Sequence, residues 1–398
     1  MNGRIPELDA LRGLAAIVIV VFHMRFVDAY PALGTAVDLF FVLSGYLITT
    51  ILLERGRAPG FFAAFYARRA LRIWPIYYLA LLACVAVNPL LKRPEPLSGF
   101  WHYFAYLQYV PGYWHGETPA FSRLFLHSWT LAIEEQFYLL WPFAVVLLGR
   151  RGLRAAILPL LIAPIVLRAS GYHRHMLLTR CDGLALGALL ADLFSDRARV
   201  EAARGSMRRG FLAVGLIAVA ARQVAGPWLA RLDGTTPGFW TLRASSLATA
   251  EMAWLAFAAV GLVLLDRGHR RLAPLRDRRL VHLGTISYGI YLYHPFVLIF
   301  VPMIHKSLRI RGSIGMDAIK LAACVGLAEA SWRLVERPIL RIKERFPYPE
   351  GRGVFRGPHA DGATRLASGD RPRPGGWLRR SRVPATEGSQ PGTEDRRR

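Results

Sequence analysis

Cysteine is scarce. The three present, Cys84, Cys181 and Cys324, lie far apart in or beside apolar segments, with no Cys-x-x-Cys and no metal-ligand spacing. That argues against a disulfide framework and a zinc site, and leaves the cysteines as small buried apolar residues. Acid is also in short supply: 27 Asp and Glu stand against 51 Lys and Arg, a formal net charge of +24. There is no internal repeat and no second stretch of globular composition that would mark another folded domain. A cleaved leader is not expected. Glu7 and Asp9 interrupt what should be a purely basic start, and a second apolar run follows without a clear cleavage site.

Apolar sequence is what the chain has in quantity, at 53% of its residues. A soluble nucleic-acid binder would spread its Lys and Arg over a globular composition. Here they cluster between long apolar runs, which fits membrane loops and not nucleic acid. The partner implied is a lipid bilayer. Runs approaching twenty residues predict membrane helices, and ten are read: 8–27, 37–53, 70–87, 128–148, 155–167, 182–194, 211–225, 248–265, 284–304 and 314–335. The aromatic stretch 100–109 is too short to span and predicts an interfacial helix. With the first residues inside, the inner loops hold 18 Arg, against 13 Lys and Arg in the longer outer loops, where Arg168 and Arg180 fall. This places both termini in the cytoplasm. Past residue 343, Gly, Pro, Ser, Thr, Asp, Glu and Arg dominate, which predicts a disordered cytoplasmic tail over 344–398. The expected fold is all-α, a polytopic integral membrane bundle of about ten transmembrane helices over 1–343.

The first helix organises the rest. Arg12 and His23 are eleven positions apart with only Gly, Leu, Ala, Ile, Val and Phe between them. A helix sets them roughly 16 Å apart along its axis and close to one face. Ionisable residues in an apolar span are costly and mark function by default. A neutral His23 imidazole is suited to take a proton from a hydroxyl. Arg12 reads either as an anion fork or as a snorkelling interfacial arginine. Asp38, at the start of the second run, either orients the His23 ring or serves as an acid favoured by the helix dipole. Arg69 and Arg72 share a helix face and suit phosphates, or are a positive-inside anchor. Glu134 and Glu135 are adjacent, so at most one readily faces a shared cavity. His127, Trp129, Tyr288 and His294 sit in polar-aromatic stretches that read either as substrate contacts or as buried polar pairs.

At these residues the chain resembles the acyltransferase family 3 membrane proteins, which O-acylate bacterial surface polysaccharides and related acceptors. The stretches that carry the resemblance are Glu7-Leu-Asp-Ala-Leu-Arg-Gly-Leu-Ala-Ala with His23, Val37-Asp-Leu-Phe-Phe-Val-Leu-Ser-Gly-Tyr-Leu-Ile, Arg69-Ala-Leu-Arg-Ile-Trp-Pro, His127-Ser-Trp-Thr-Leu-Ala-Ile-Glu-Glu-Gln-Phe-Tyr, Ile286-Ser-Tyr-Gly-Ile-Tyr-Leu-Tyr-His-Pro and Val335-Glu-Arg-Pro, in that order. The family's Arg-x10-His motif falls on Arg12 and His23, and its Arg-x-x-Arg motif on Arg69 and Arg72. The resemblance implies a bacterial inner-membrane enzyme that passes an acyl group, most commonly acetyl, from cytoplasmic acyl-CoA to a saccharide hydroxyl, without a metal. In that scheme Arg12, Arg69 and Arg72 hold the donor phosphates and His23 is the general base. Asp38, Glu134 or Glu135 tune the base or hold the sugar, and His127, Trp129, Tyr288 and His294 contact substrate. Some family members carry an extracytoplasmic hydrolase-like extension, and the polar tail leads us to expect none here. The alternative is a proton-coupled exporter of an acylated sugar, which would consume no acyl-CoA. No inverted repeat favours it.

Overall fold

A computed structural model describes residues 4–26, 36–91, 94–110, 121–172, 175–232, 242–307 and 315–349. Residues 350–398, most of the expected tail, lie outside it. The described residues form helices and turns with no strand among them. The first helix, α1 (Pro6–Val21), opens with proline in its first turn beside Glu7 and Asp9, as N-terminal geometry and the helix dipole favour. It runs on into a π-helical turn at Phe22–Phe26. Next come α2 (Val37–Arg55), α3 (Phe61–Val87), the short α4 (Phe100–Phe104) and α5 (Trp129–Ala169). Gly149 interrupts α5 with φ of 62° and ψ of −173°, dividing 129–148 from 150–169 where the sequence separates two runs. After α6 (Leu177–Leu193) and α7 (Arg197–Ala202) come α8 (Arg204–Leu232), α9 (Leu242–Leu265), α10 (Arg278–Ser307) and α11 (Met316–Ser331). A second π-helical turn, Trp332–Glu336, leads into α12 (Arg337–Ile342).

Among the described residues, each of the ten apolar runs falls mainly on helix; residues 27 and 314 lie outside them. Five stretches among the described residues are long and apolar enough to cross a membrane: Val37–Arg55, Phe61–Leu90, Leu126–Ala169, Ser246–Leu265 and Arg278–Lys306. The other runs are helical but shorter or more polar.

Two helix pairs hold the frame, α2 against α6 and α1 against α10. Both approach closely because small residues face each other, the usual solution where lipid offers no hydrophobic drive between helices. A Cβ on Gly187 would fall on the Val42 carbonyl oxygen, and one on Gly284 on the Asp9 carbonyl oxygen. Gly187→Leu is therefore expected to destabilise the detergent-solubilised protein by about 1–3 kcal/mol or more. Gly210 has open space around it in α8, so Gly210→Ala should hold or raise stability by about 0.5–1 kcal/mol. Thermal unfolding of the two variants side by side checks this.

Two expectations are corrected. Arg168 and Arg180, placed in an outer loop by the sequence, are buried on α5 and α6. Arg168 pairs with Asp182 at 2.8 Å and Arg180 with Asp38 at 2.9 Å. Burial is tolerable because each guanidinium meets a carboxylate. The packed chain also runs past residue 343. Arg68 Nη1 donates to the carbonyls of Lys343 (3.0 Å) and Phe346 (2.9 Å), and its guanidinium lies 4.7 Å over the Tyr348 ring. Tyr348 in turn stacks on Phe61. Residues 337–349 thus form a strap against α3.

Candidate active site

A cavity of ≈390 Å³ is lined from α1, α2, α3, α5, α10 and the strap. At one end lie Arg4, Arg12, Arg69, Arg72 and Lys343. Arg4 donates to Asp9, which also lines the cavity. Arg69 and Arg72 enter together because three residues of helix return the chain to one face. Arg69 also sits 5.3 Å over the Tyr138 ring. Among the described residues, no carboxylate is within ion-pair range of Arg12, Arg69, Arg72 or Lys343. The lining also holds Asp9 and Glu134, and buried Glu336 acts on Arg72, but five cations outnumber these acids and give the concave site a positive excess suited to a multiply charged anion.

Midway along the wall, Ser44 Oγ donates to Glu134 Oε1 at 2.6 Å, and the Tyr138 hydroxyl donates to Glu134 Oε2 at 3.1 Å. Of the two adjacent acids, Glu134 faces the cavity. Glu135 points elsewhere and accepts from Trp74 Nε1 at 3.1 Å. Tyr288 also lines the cavity and donates its hydroxyl to the Ile73 carbonyl at 3.2 Å.

Phe40, Thr130 and Tyr291 also line the cavity. The Tyr291 hydroxyl donates to the His127 carbonyl at 2.6 Å and meets Thr130 Oγ1 at 2.8 Å. Behind it three imidazoles form a chain: His127 and His294 are 5.0 Å apart between ring centroids, His294 and His23 are 4.9 Å apart. His23 itself is exposed and does not line the cavity. Its Nδ1 lies 2.8 Å from the Ile19 carbonyl, and His294 Nδ1 lies 2.5 Å from that of Tyr291. A carbonyl only accepts, so in both neutral rings Nδ1 carries the proton and Nε2 keeps its lone pair. His294 Nε2 is buried with no hydrogen-bond partner. The π-helical turn around His23 widens the backbone there, a feature common at functional sites. Among the described residues, no group of three His, Cys, Asp or Glu is arranged to hold a metal.

Asp38 and Trp129 are not brought to the cavity. Asp38 is held by Arg180, and Trp129 lies beneath that same guanidinium at 5.2 Å. The sequence reading passed over Arg4, Ser44, Thr130, Tyr138 and Lys343. Tyr138 carried a signal, being four residues after Glu134 on one helix face. Lys343 carried none, because it sits where the composition turns tail-like.

The chain matches the acyltransferase-domain family over residues 5–317. It is 29% identical over 370 residues to a putative peptidoglycan O-acetyltransferase of Bacillus subtilis, covering 84% of this chain and 55% of the relative. It is 28% identical over 362 residues to a peptidoglycan O-acetyltransferase of Listeria monocytogenes, covering 84% and 56%. It is 27% identical over 368 residues to a putative O-acetyltransferase of Staphylococcus aureus, covering 84% and 57%. The chain thus spans about half the length of these curated relatives. No solved structure matches it. The family match runs through the helices that carry Arg12, His23, Arg69, Arg72, Glu134 and His294, and on that ground the chain belongs to the acyltransferase-domain family.

Proposed function

We propose that the protein is a multi-pass O-acyltransferase of the bacterial inner membrane, with ten spans and both termini cytoplasmic. It moves an acyl group, acetyl first among the candidates, from acyl-CoA to a carbohydrate hydroxyl. The names of its relatives support an O-acetyl product and a peptidoglycan-like acceptor. One observation carries the reading: a single cavity is lined by Arg12, Arg69, Arg72 and Lys343, none in an ion pair, and by Tyr291, next to imidazoles whose Nε2 lone pairs are free. Arg12 and His23 are roughly 16 Å apart along the first helix and the turn that continues it, comparable with the reach of an extended pantetheine arm.

In this scheme Arg12, Arg69 and Arg72 hold the donor phosphates at the cytoplasmic end. The thioester advances past Glu134 to the Tyr291–Thr130 wall, and Tyr291 must swing aside to expose it to His23. His23 Nε2 takes the proton of the acceptor hydroxyl. The oxygen attacks the thioester carbonyl, the C–S bond breaks, and the CoA thiolate leaves and is protonated. His294, packed on His23, offers the next nitrogen along which a proton can pass.

The test is acetyl-CoA consumption by purified protein with peptidoglycan fragments as acceptor. Wild type should release CoA and label the fragments. Arg72→Gln should raise KM for acetyl-CoA about 10–100-fold, the loss of one charge-assisted hydrogen bond of about 1.5–3 kcal/mol. Absence of both acetyl-CoA binding and turnover would reject the enzyme and leave the exporter reading.

A further inference from the structure

We propose that Lys343, carried to the cavity by the strap, is a phosphate-binding residue that makes the site selective for nucleotide-bearing acyl donors over simple thioesters. This rests on the donor reading above and adds to it a residue outside the family-matched segment 5–317.

The strap is built to hold one side chain in place. After α12 the chain makes a 3₁₀ turn at Lys343–Arg345. Arg68 fixes that turn by donating to the Lys343 and Phe346 carbonyls, and Tyr348 is held between the Arg68 guanidinium and the Phe61 ring. Arg68 therefore differs in task from its neighbours: it clamps the strap, whereas Arg69 and Arg72 line the cavity. With its backbone pinned, Lys343 joins Arg4, Arg12, Arg69 and Arg72 on the cavity wall. Holding so many cations close together is unfavourable by itself. Burial first, then Arg72, Arg68 and Arg69, push the Lys343 ammonium down to about 8. Of the nearby acids, Asp9 is taken by Arg4, and Glu134 by Ser44 and Tyr138, while Glu336 accepts from Ser331 and offsets part of the charge of Arg72 without pairing with it. An anion carrying several charges relieves this crowding. A single carboxylate or an uncharged thioester does so far less. Ammonium on a flexible stem suits a phosphate oxygen as a point charge beside the planar arginine forks.

The full-length protein in neutral detergent tests this by titration with CoA, dephospho-CoA and S-acetylpantetheine, which lacks phosphate. Lys343→Gln should bind CoA about 10–100-fold more weakly, with S-acetylpantetheine unchanged. Lys343→Arg should stay within about threefold of wild type, since the charge remains. Tyr348→Ala should show part of the Lys343→Gln loss by loosening the strap. At pH 8 wild type should take up protons as CoA binds, and Lys343→Gln should take up fewer. Equal CoA affinity in wild type and Lys343→Gln would overturn the role of Lys343 while leaving the donor reading intact. No CoA binding by wild type would remove both. Phosphatidylglycerol offers the same phosphate chemistry and is titrated in parallel. If Lys343→Gln changes only the lipid response, the ligand of Lys343 is a headgroup and its role in donor selectivity falls.

Discussion

His23→Ala is expected to lower acyl transfer about 10²–10⁴-fold, the range a positioned general base contributes. The expectation rests on the tautomer. The Ile19 carbonyl holds the Nδ1 proton, so Nε2 is an acceptor, and the exposed ring can meet an incoming hydroxyl. Alanine removes that lone pair and also frees the Ile19 carbonyl, so His23→Gln is the companion variant, able to keep a hydrogen bond but unable to act as base near neutral pH. Both should lose transfer in single-turnover assays. CoA affinity should hold within a few-fold in both, because Arg12 lies roughly 16 Å away along the first helix and the turn that continues it. His294→Gln should cost less, since its Nε2 is buried behind Tyr291 and reaches the acceptor only through His23. Wild-type turnover by His23→Ala would move the base to His127 or His294.

The second large effect concerns stability. Asp38 and Arg180 are buried and paired at 2.9 Å, and beside them Arg168 and Asp182 are paired at 2.8 Å. Removing one member strands a charge in the bundle, so Arg180→Leu or Asp38→Leu should destabilise by about 3–5 kcal/mol. The double variant Asp38→Leu/Arg180→Leu should recover much of that, because desolvating two charges already cost most of what their attraction returned. Thermal unfolding of the two singles and the double separates pairing from packing. It also separates two roles for Asp38. A double variant that folds and retains acyl transfer makes the pair a staple between α2 and α6. A folded double variant without transfer returns Asp38 to the chemistry.

Much of the site was legible before any coordinates. Arg69 and Arg72 share the cavity wall, because helical period fixes which residues within one segment share a face. The same logic correctly allowed only one of Glu134 and Glu135 to face the cavity, though it could not say which. Periodicity is silent between segments, and there the reading went astray. Arg168 and Arg180 looked like loop charges because their carboxylate partners lie 14 and 142 positions away. That His23 stands outside the cavity lining, next to His294, is likewise a matter between segments.

The sequence by itself determined that the chain is helical, apolar and basic, and that it carries the family's ordered motifs, since each of these is a property of composition, local period or short-range order. Only the tertiary structure decided which cations share a cavity without an ion-pair partner, which carboxylates are neutralised in the core, and that a lysine beyond the last long helix returns to the cavity wall. Those outcomes depend on how helices far apart in sequence pack, on the close approach permitted at Gly187 and Gly284, and on the burial of charge that such packing either pairs or leaves open to a ligand.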